Sequence, residues 1–257
     1  MPASTFATYP SLRDRVVFVT GGGSGIGASI VEHFVAQGAR VAFVDIDQKA
    51  SAALCERIRQ ASLPAPLYIP CDLRDIPALR AAIAQSQESL GDISVLVNNA
   101  ARDDRHRLED VTVEYWDERV ATNLRHQFFA IQAVTEQMKR LGGGSIINFG
   151  SISWMTRSGG MPAYTASKAA VGGLTRGLAR DLGPFNIRVN TVVPGWVMTE
   201  RQRTLWLTPE GERQMDENQC LPGRLQPEDL ARMVLFLAAD DSRLCTAQNF
   251  IVDAGWA

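Results

Sequence analysis

Tyr164 and Lys168 are separated by three residues, Thr165-Ala166-Ser167, a spacing that puts both side chains on one face of a helix. A free phenol ionises near ~10, too high for a base at neutral pH. A neighbouring ammonium stabilises the phenolate and brings it toward the useful range. The pair alone is common on solvated helix faces. Ser151 adds a third group, because it follows a β-branched run and precedes Tyr164 by 13 residues. A strand-end hydroxyl there would face the helix carrying Tyr164 and donate to a substrate oxygen while the phenol exchanges its proton. Asn123, in a long helical segment, would hold a water joining Lys168 to solvent, or else bond only to its own helix. Asn123, Ser151, Tyr164 and Lys168 are therefore the candidate catalytic residues, suited to proton transfer at an alcohol or hemiacetal oxygen.

A second constellation lies near the N-terminus, in Thr20-Gly21-Gly22-Gly23-Ser24-Gly25-Ile26-Gly27. Glycines at a strand-to-helix turn permit positive φ and let backbone N–H groups approach a pyrophosphate without obstruction by Cβ. The helix N-terminus then meets the phosphate charge. Asp45 stands 18 residues beyond Gly27, near the separation expected for a carboxylate on the adenosine ribose. It would accept from the 2′- and 3′-hydroxyls and repel a 2′-phosphate. Ile46 follows it and Ser24 occupies the turn, so NAD is favoured over NADP, although Arg40 and Lys49 are close enough in sequence to adapt. Asp72, after the third apolar run, would bond the adenine amino group or merely cap a turn.

These groups need a scaffold that brings strand ends together. Short apolar runs over 16–20, 41–45, 67–70, 95–98, 145–149, 187–193 and 250–252 alternate with helical patterns. That alternation predicts βα units and a single α/β domain, a Rossmann-like doubly wound parallel sheet with helices on both faces. Helices are expected from the glycine turn to Gly38, a C-terminal stop, and over 48–62, 76–90, 113–141, 162–182 and 227–239. The segment 201–225 has a weak pattern broken by Pro209 and Pro222, and is expected to be a mobile, substrate-covering excursion. No linker or repeat divides the 257 residues, so one domain is the simplest account.

Composition narrows the classes. With 26 basic and 28 acidic residues and a net charge of −2, nothing favours nucleic acid or an anionic membrane as partner. Cys55, Cys71, Cys220 and Cys245 form no C-x-x-C pair, and His33, His106 and His126 show no metal-ligand spacing, so no metal is expected. Residues 1–12 lack a signal-peptide pattern and no apolar run nears the ~20 residues of a membrane span; a cytoplasmic protein is the expectation.

Taken in order, these motifs resemble the short-chain dehydrogenase/reductase family over essentially the whole chain. Its T-G-x-x-x-G-x-G pattern is met by Thr20, Gly21, Gly25 and Gly27, its N-N-A-G turn by Asn98-Asn99-Ala100-Ala101 with Ala in the last place, and its P-G turn by Pro194-Gly195. Its catalytic asparagine, serine, tyrosine and lysine fall on Asn123, Ser151, Tyr164 and Lys168. The resemblance implies a cofactor site of Gly21, Ser24, Gly25, Ile26, Gly27, Asp45, Ile46, Asp72, Leu73, Asn99, Tyr164, Lys168, Pro194, Val197 and Thr199. In it Val197 and Thr199 hold the nicotinamide carboxamide, Lys168 also binds the nicotinamide ribose, and Asn98 and Asn99 support the sheet and cofactor. It also implies a homo-oligomer, a tetramer or dimer.

More narrowly, 103–106, 148–154 and Asp253-Ala254-Gly255-Trp256 resemble bacterial NAD-dependent aldose 1-dehydrogenases of the xylose type, which implies oxidation of a cyclic pentose or deoxyhexose at C1 to the aldonolactone. Met155, Thr156, Pro162 and Ala163 depart from that pattern. Ser151, Ser153, Trp154, Tyr164, Trp196 and Arg102 are the expected substrate contacts, since an aromatic face suits sugar C–H groups while polar groups read hydroxyls. The rival readings are an oxidoreductase for secondary alcohols, polyols or 3-oxoacyl chains using the same residues, and a non-catalytic dinucleotide-sensing regulator.

Overall fold

Alternating burial explains the sheet. In β1 (Val16–Thr20), Val17 and Val19 enter one apolar cluster while Val16 and Phe18 enter the other, so the strand is buried on both faces, as parallel strands covered by helices must be. In the computed structural model, which describes residues 6–257, β1 is joined by β2 (Arg40–Asp45), β3 (Leu67–Pro70), β4 (Val95–Asn98), β5 (Gly144–Phe149), β6 (Ile187–Pro194) and β7 (Asn249–Val252). The order is β3-β2-β1-β4-β5-β6-β7 and every pairing is parallel. This is the doubly wound, Rossmann-like sheet expected. Residues 1–5 of the N-terminal stretch considered above lie outside the described residues.

One core cluster joins α1 (Gly25–Ala36), α2 (Gln48–Gln60) and α9 (Pro227–Ala238) to the sheet. The other packs α3 (Ile76–Leu90), α5 (His126–Arg140) and α6 (Pro162–Leu182) on the opposite face. Strand order reverses between β1 and β4, and ligands of open α/β sheets gather at such a switch point, beyond the carboxyl ends of the strands.

Two expectations change. The helix expected over 113–141 is α4 (Val113–Val120) followed by α5, with a π-helical turn at Ala121–Arg125 between them. The 201–225 segment is not irregular: it forms α7 (Glu200–Leu205) and α8 (Pro209–Asn218). Pro209 occupies the first turn of α8, where its missing N–H costs nothing, and Thr199 and Thr208 cap the two helices through bonds to Gln202 N and Gly211 N.

Candidate active site

A cavity of about 830 Å³ opens at the switch point. At one end lies the glycine turn. Gly21 and Gly25 have φ of +65° and +54°, and a Cβ on Gly27 would sit 1.8 Å from the Gly21 carbonyl oxygen, so this turn accepts no side chain there. Asn99 Nδ2 donates to the carbonyls of Thr20 and Gly21 at 3.1 and 2.9 Å, so Asn99 fixes the turn. Ser24 gives α1 no side-chain cap, in contrast to Asp47, Asp75 and Thr112 at α2, α3 and α4. An uncapped helix N-terminus behind a side-chain-free turn is suited to an anion.

Asp45 ends β2, and its carboxylate accepts from Gly23 N at 2.8 Å and Asp47 N at 2.9 Å, which clamps it to the turn. Ile46, Asp72 and Leu73 line the same end of the cavity. Asp72 is already engaged by Arg74, whose hydrogen bonds hold its carboxyl below the usual range. Pro194, Val197 and Thr199 line the wall facing Gly25. A side-chain-free cradle, helix N–H donors and a strand-end carboxylate together fit a nicotinamide dinucleotide.

Ser151 and Tyr164 meet at the other end. Ser151 follows β5, its hydroxyl accepting from Ser153 N at 3.2 Å and standing close enough to the Tyr164 phenol to favour its ionised form. Lys168 lies one turn further along α6, 2% exposed, with Nζ donating to the Phe149 carbonyl at 2.7 Å and 5.7 Å from the centre of the Tyr164 ring. Here the expected electrostatics are reversed. Burial pushes the Tyr164 phenol up to about 12, with Asp103 adding to the rise and the Ser151 hydroxyl and Arg105 opposing it. Burial also brings the Lys168 ammonium down to about 7, against the pull of Asp103. Two groups taken out of water together each favour the neutral form, and Lys168 is turned to a backbone carbonyl rather than to the phenolic oxygen.

Asn123 is fully buried in the π-helical turn. Its Oδ1 accepts from Arg102 N at 2.8 Å and its Nδ2 donates to the Arg119 carbonyl at 3.0 Å. Both ends of the amide thus bond backbone. The side chain pins the loop after β4 to the turn, and one amide N–H and one Oδ1 lone pair stay free for a water.

The predicted substrate residues divide. Ser153, Trp196 and Arg102 line the cavity beside Ser151 and Tyr164, whereas Trp154 lies outside that wall, 40% exposed on a one-turn 3-10 helix. Trp196 donates from Nε1 to Gln202 Oε1 at 2.9 Å and rests on α8, where a Cβ on Gly211 would come within 2.7 Å of its ring. Ser153 Oγ is buried without a hydrogen-bond partner. Sequence reasoning missed Asp103, Gln202, Gln214 and Trp256, which also line the cavity. Asp103 accepts from Gln202 Nε2 at 2.7 Å and Arg201 Nε at 3.4 Å, which ties α7 to the loop after β4. Its position just beyond a strand end was the one available signal; the other three reach the site only through α7, α8 and the C-terminal tail.

A family model described as enoyl-(acyl carrier protein) reductase matches residues 21–257. With this fold and this site, the chain belongs to the short-chain dehydrogenase/reductase family and is a dehydrogenase using a nicotinamide dinucleotide. It is 54% identical to the probable galactose dehydrogenase GalD of Rhizobium meliloti, across 99% of this chain and 98% of that protein. It is 52% identical to the D-xylose 1-dehydrogenase of Caulobacter vibrioides, across 97% and 98%. Among solved structures, a blue fluorescent protein from a metagenomic library in complex with NADPH superposes with a TM-score of 0.87 at 36% identity, covering 96% of this chain and 99% of that one.

Among the described residues, no group of three or more His, Cys, Asp and Glu side chains could hold a metal. Likewise, no helix among them is long and apolar enough to cross a membrane.

Proposed function

We propose that this dehydrogenase oxidises a cyclic aldose, a pentose, a deoxyhexose or galactose, at C1 to the aldonolactone with NAD. The observation that carries the reading is the polar lining of the cavity's substrate end. The unpartnered Ser153 hydroxyl, the Asp103 carboxylate and the Gln202 and Gln214 amides line the same cavity as Ser151 and Tyr164. Such a wall matches a polyhydroxylated ring, whereas an acyl chain would leave the Ser153 hydroxyl desolvated and unpaired. The two sugar dehydrogenases similar to the chain support the same substrate class.

A nicotinamide dinucleotide held by the glycine turn, Asp45 and Thr199 would supply the hydride acceptor. The step needs Tyr164 as the phenolate, which takes the proton of the C1 hydroxyl while Ser151 holds the same oxygen, and Lys168 stabilises that phenolate when it carries its own proton. Fixing the alcohol against Ser151 and Tyr164 makes an oriented encounter, worth up to ~7 kcal/mol or more in favourable cases. NAD is preferred because the clamped Asp45 carboxylate would face a 2′-phosphate. In the cell we place the protein in the cytoplasm, as a homo-oligomer without nucleic-acid or membrane partners.

The test is an initial-rate panel of D-xylose, L-arabinose, L-rhamnose, L-fucose and D-galactose, with secondary alcohols, polyols and 3-oxoacyl thioesters alongside, each with NAD(H) and NADP(H). Lactone formation from a sugar with NAD, abolished in Tyr164→Phe while cofactor still binds, is the expected result. Turnover confined to ketones or acyl chains would overturn the substrate class, and turnover by Tyr164→Phe would remove Tyr164 from the proton transfer.

A further inference from the structure

The helix that carries Tyr164 begins without a cap of its own. Met161, at the N-cap of α6, makes no side-chain bond to the first turn. Pro162 has no N–H, and Thr165 N already bonds the Met161 carbonyl. The next N–H, that of Ala163, is fully buried beside Tyr164 and donates to His106 Nε2 at 3.3 Å. His106 also fastens the segment before α6 through its backbone, N–H to the Gly160 carbonyl at 2.8 Å.

We propose that His106 is a positioning residue for Tyr164. It supplies from 57 residues away the N-terminal cap that α6 lacks, and it does so only while neutral. The inference rests on the reading of Tyr164 as the proton-transfer residue. Nε2 can accept from Ala163 only if the ring proton is on Nδ1, and Nδ1 lies 2.9 Å from both the Asp104 carbonyl and the Tyr115 hydroxyl. A proton on Nδ1 shared between the Asp104 carbonyl and the Tyr115 hydroxyl oxygen is compatible with all these contacts. The other tautomer, or the imidazolium, would set a donor against the Ala163 N–H, and the imidazolium would add a positive charge where a helix N-terminus disfavours it.

No neighbouring group rescues the charged form. The titratable and charged groups of its own loop are Arg102, Asp103, Asp104, Arg105, Arg107, Glu109 and Asp110; those of α4 are Glu114, Tyr115, Asp117, Glu118 and Arg119; on α6, next to Ala163, there is Tyr164. Asp104 shows His106 its carbonyl, while its carboxylate pairs with Arg102, Arg119 and Arg201. Asp103 is bound by Arg201 and Gln202, and Glu118 by Arg119 and Arg74. Tyr115 stacks edge-on against the imidazole at 5.0 Å, and the Arg119 guanidinium lies 5.3 Å from the centre of the Tyr115 ring. A protonated ring cannot accept from Ala163, so gaining a second proton would release the first turn of α6.

The experiment compares wild type, His106→Ala and His106→Gln by amide hydrogen exchange of residues 163–164 and by the pH profile of kcat from pH 5 to 8. Gln places an acceptor oxygen where Nε2 stands and does not titrate. The expected results are three. His106→Ala loses protection at Ala163 about fivefold, the size of a lost cap. It also loses kcat with little change in KM. His106→Gln keeps neutral-pH protection and kcat and shows a flatter fall toward pH 5 in both readouts. Wild-type protection and kcat in His106→Ala would overturn the proposal, as would an acid limb in His106→Gln identical to that of the wild type. If His106→Ala fails to fold, the Gln profile decides alone. The exchange readout needs no substrate, so its failure is separable from that of the sugar or Tyr164 readings.

Discussion

Tyr164 and Lys168 show how burial can outweigh pairwise charge. The phenol sits near 12 and the ammonium near 7 because each is out of water and their charged atoms do not meet. The lysine shift has a consequence for folding. An unfolded lysine keeps its proton to ~10.4, whereas folded Lys168 releases it near 7. Between those values the unfolded chain binds more protons, so this residue's contribution to stability rises with pH. Urea unfolding at pH 7 and 9 should show the wild type gaining on Lys168→Met by about 2 kcal/mol, and other titrating groups cancel in the comparison. An unchanged difference would mean that Lys168 stays charged in the fold. The spacing of Tyr164 and Lys168 was legible in the sequence, but the direction of their shifts was not, because burial depends on segments distant in the chain.

At the level of elements, α7 and α8 form the wall over 201–225, where the helical pattern in the sequence is weak. Their amphipathic pattern is short, and six residues of α7 could not hold a helix alone. The helix is held by Thr199 at its start and by Arg201 and Gln202 bonding Asp103 and Asp104 across the cavity. Those bonds are polar and partly exposed, so we expect α7 and α8 to open locally more readily than the core strands. Amide exchange over 200–218 should be fast in the free protein and slow several-fold with dinucleotide and sugar bound. Equal protection in both states would argue against a substrate-covering role. The π-helical turn at Ala121–Arg125 escaped sequence reading for a similar reason. It adds one residue to a helical repeat whose apolar pattern on either side is normal, and it is defined by where Asn123 must reach.

Across the whole molecule, the sheet register aligns Thr20, Asn98, Asn148 and Thr191 in one row across β1, β4, β5 and β6. Asn98 Nδ2 donates to Asn148 Oδ1 at 2.9 Å, Asn148 Nδ2 to Thr175 Oγ1 at 3.0 Å, and Thr175 and Thr191 share a bond at 2.7 Å. This buried polar row, just below the strand ends, locks β4, β5, β6 and α6 in mutual register under the active site.

On the outer faces, Val113 and Trp116 of α4 and Phe128 of α5 are 72%, 41% and 41% exposed. Sedimentation velocity at micromolar concentration should give a dimer or tetramer, and a monomer would overturn the expected homo-oligomer.

By itself the sequence determined the elements whose signals are local. The seven strands, the glycine turn with Asp45 at a fixed distance, and the order of Ser151, Tyr164 and Lys168 all follow from periodicity, from steric demands on a turn and from spacing along one helix. Tertiary structure decided what depends on approach between distant segments. It placed Asp103, Gln202, Gln214 and Trp256 around the substrate end, left Trp154 outside, bonded the Asn123 amide to backbone, and put His106 at the start of α6. No local pattern encodes these, because each is fixed by which loops meet beyond the carboxyl ends of the sheet.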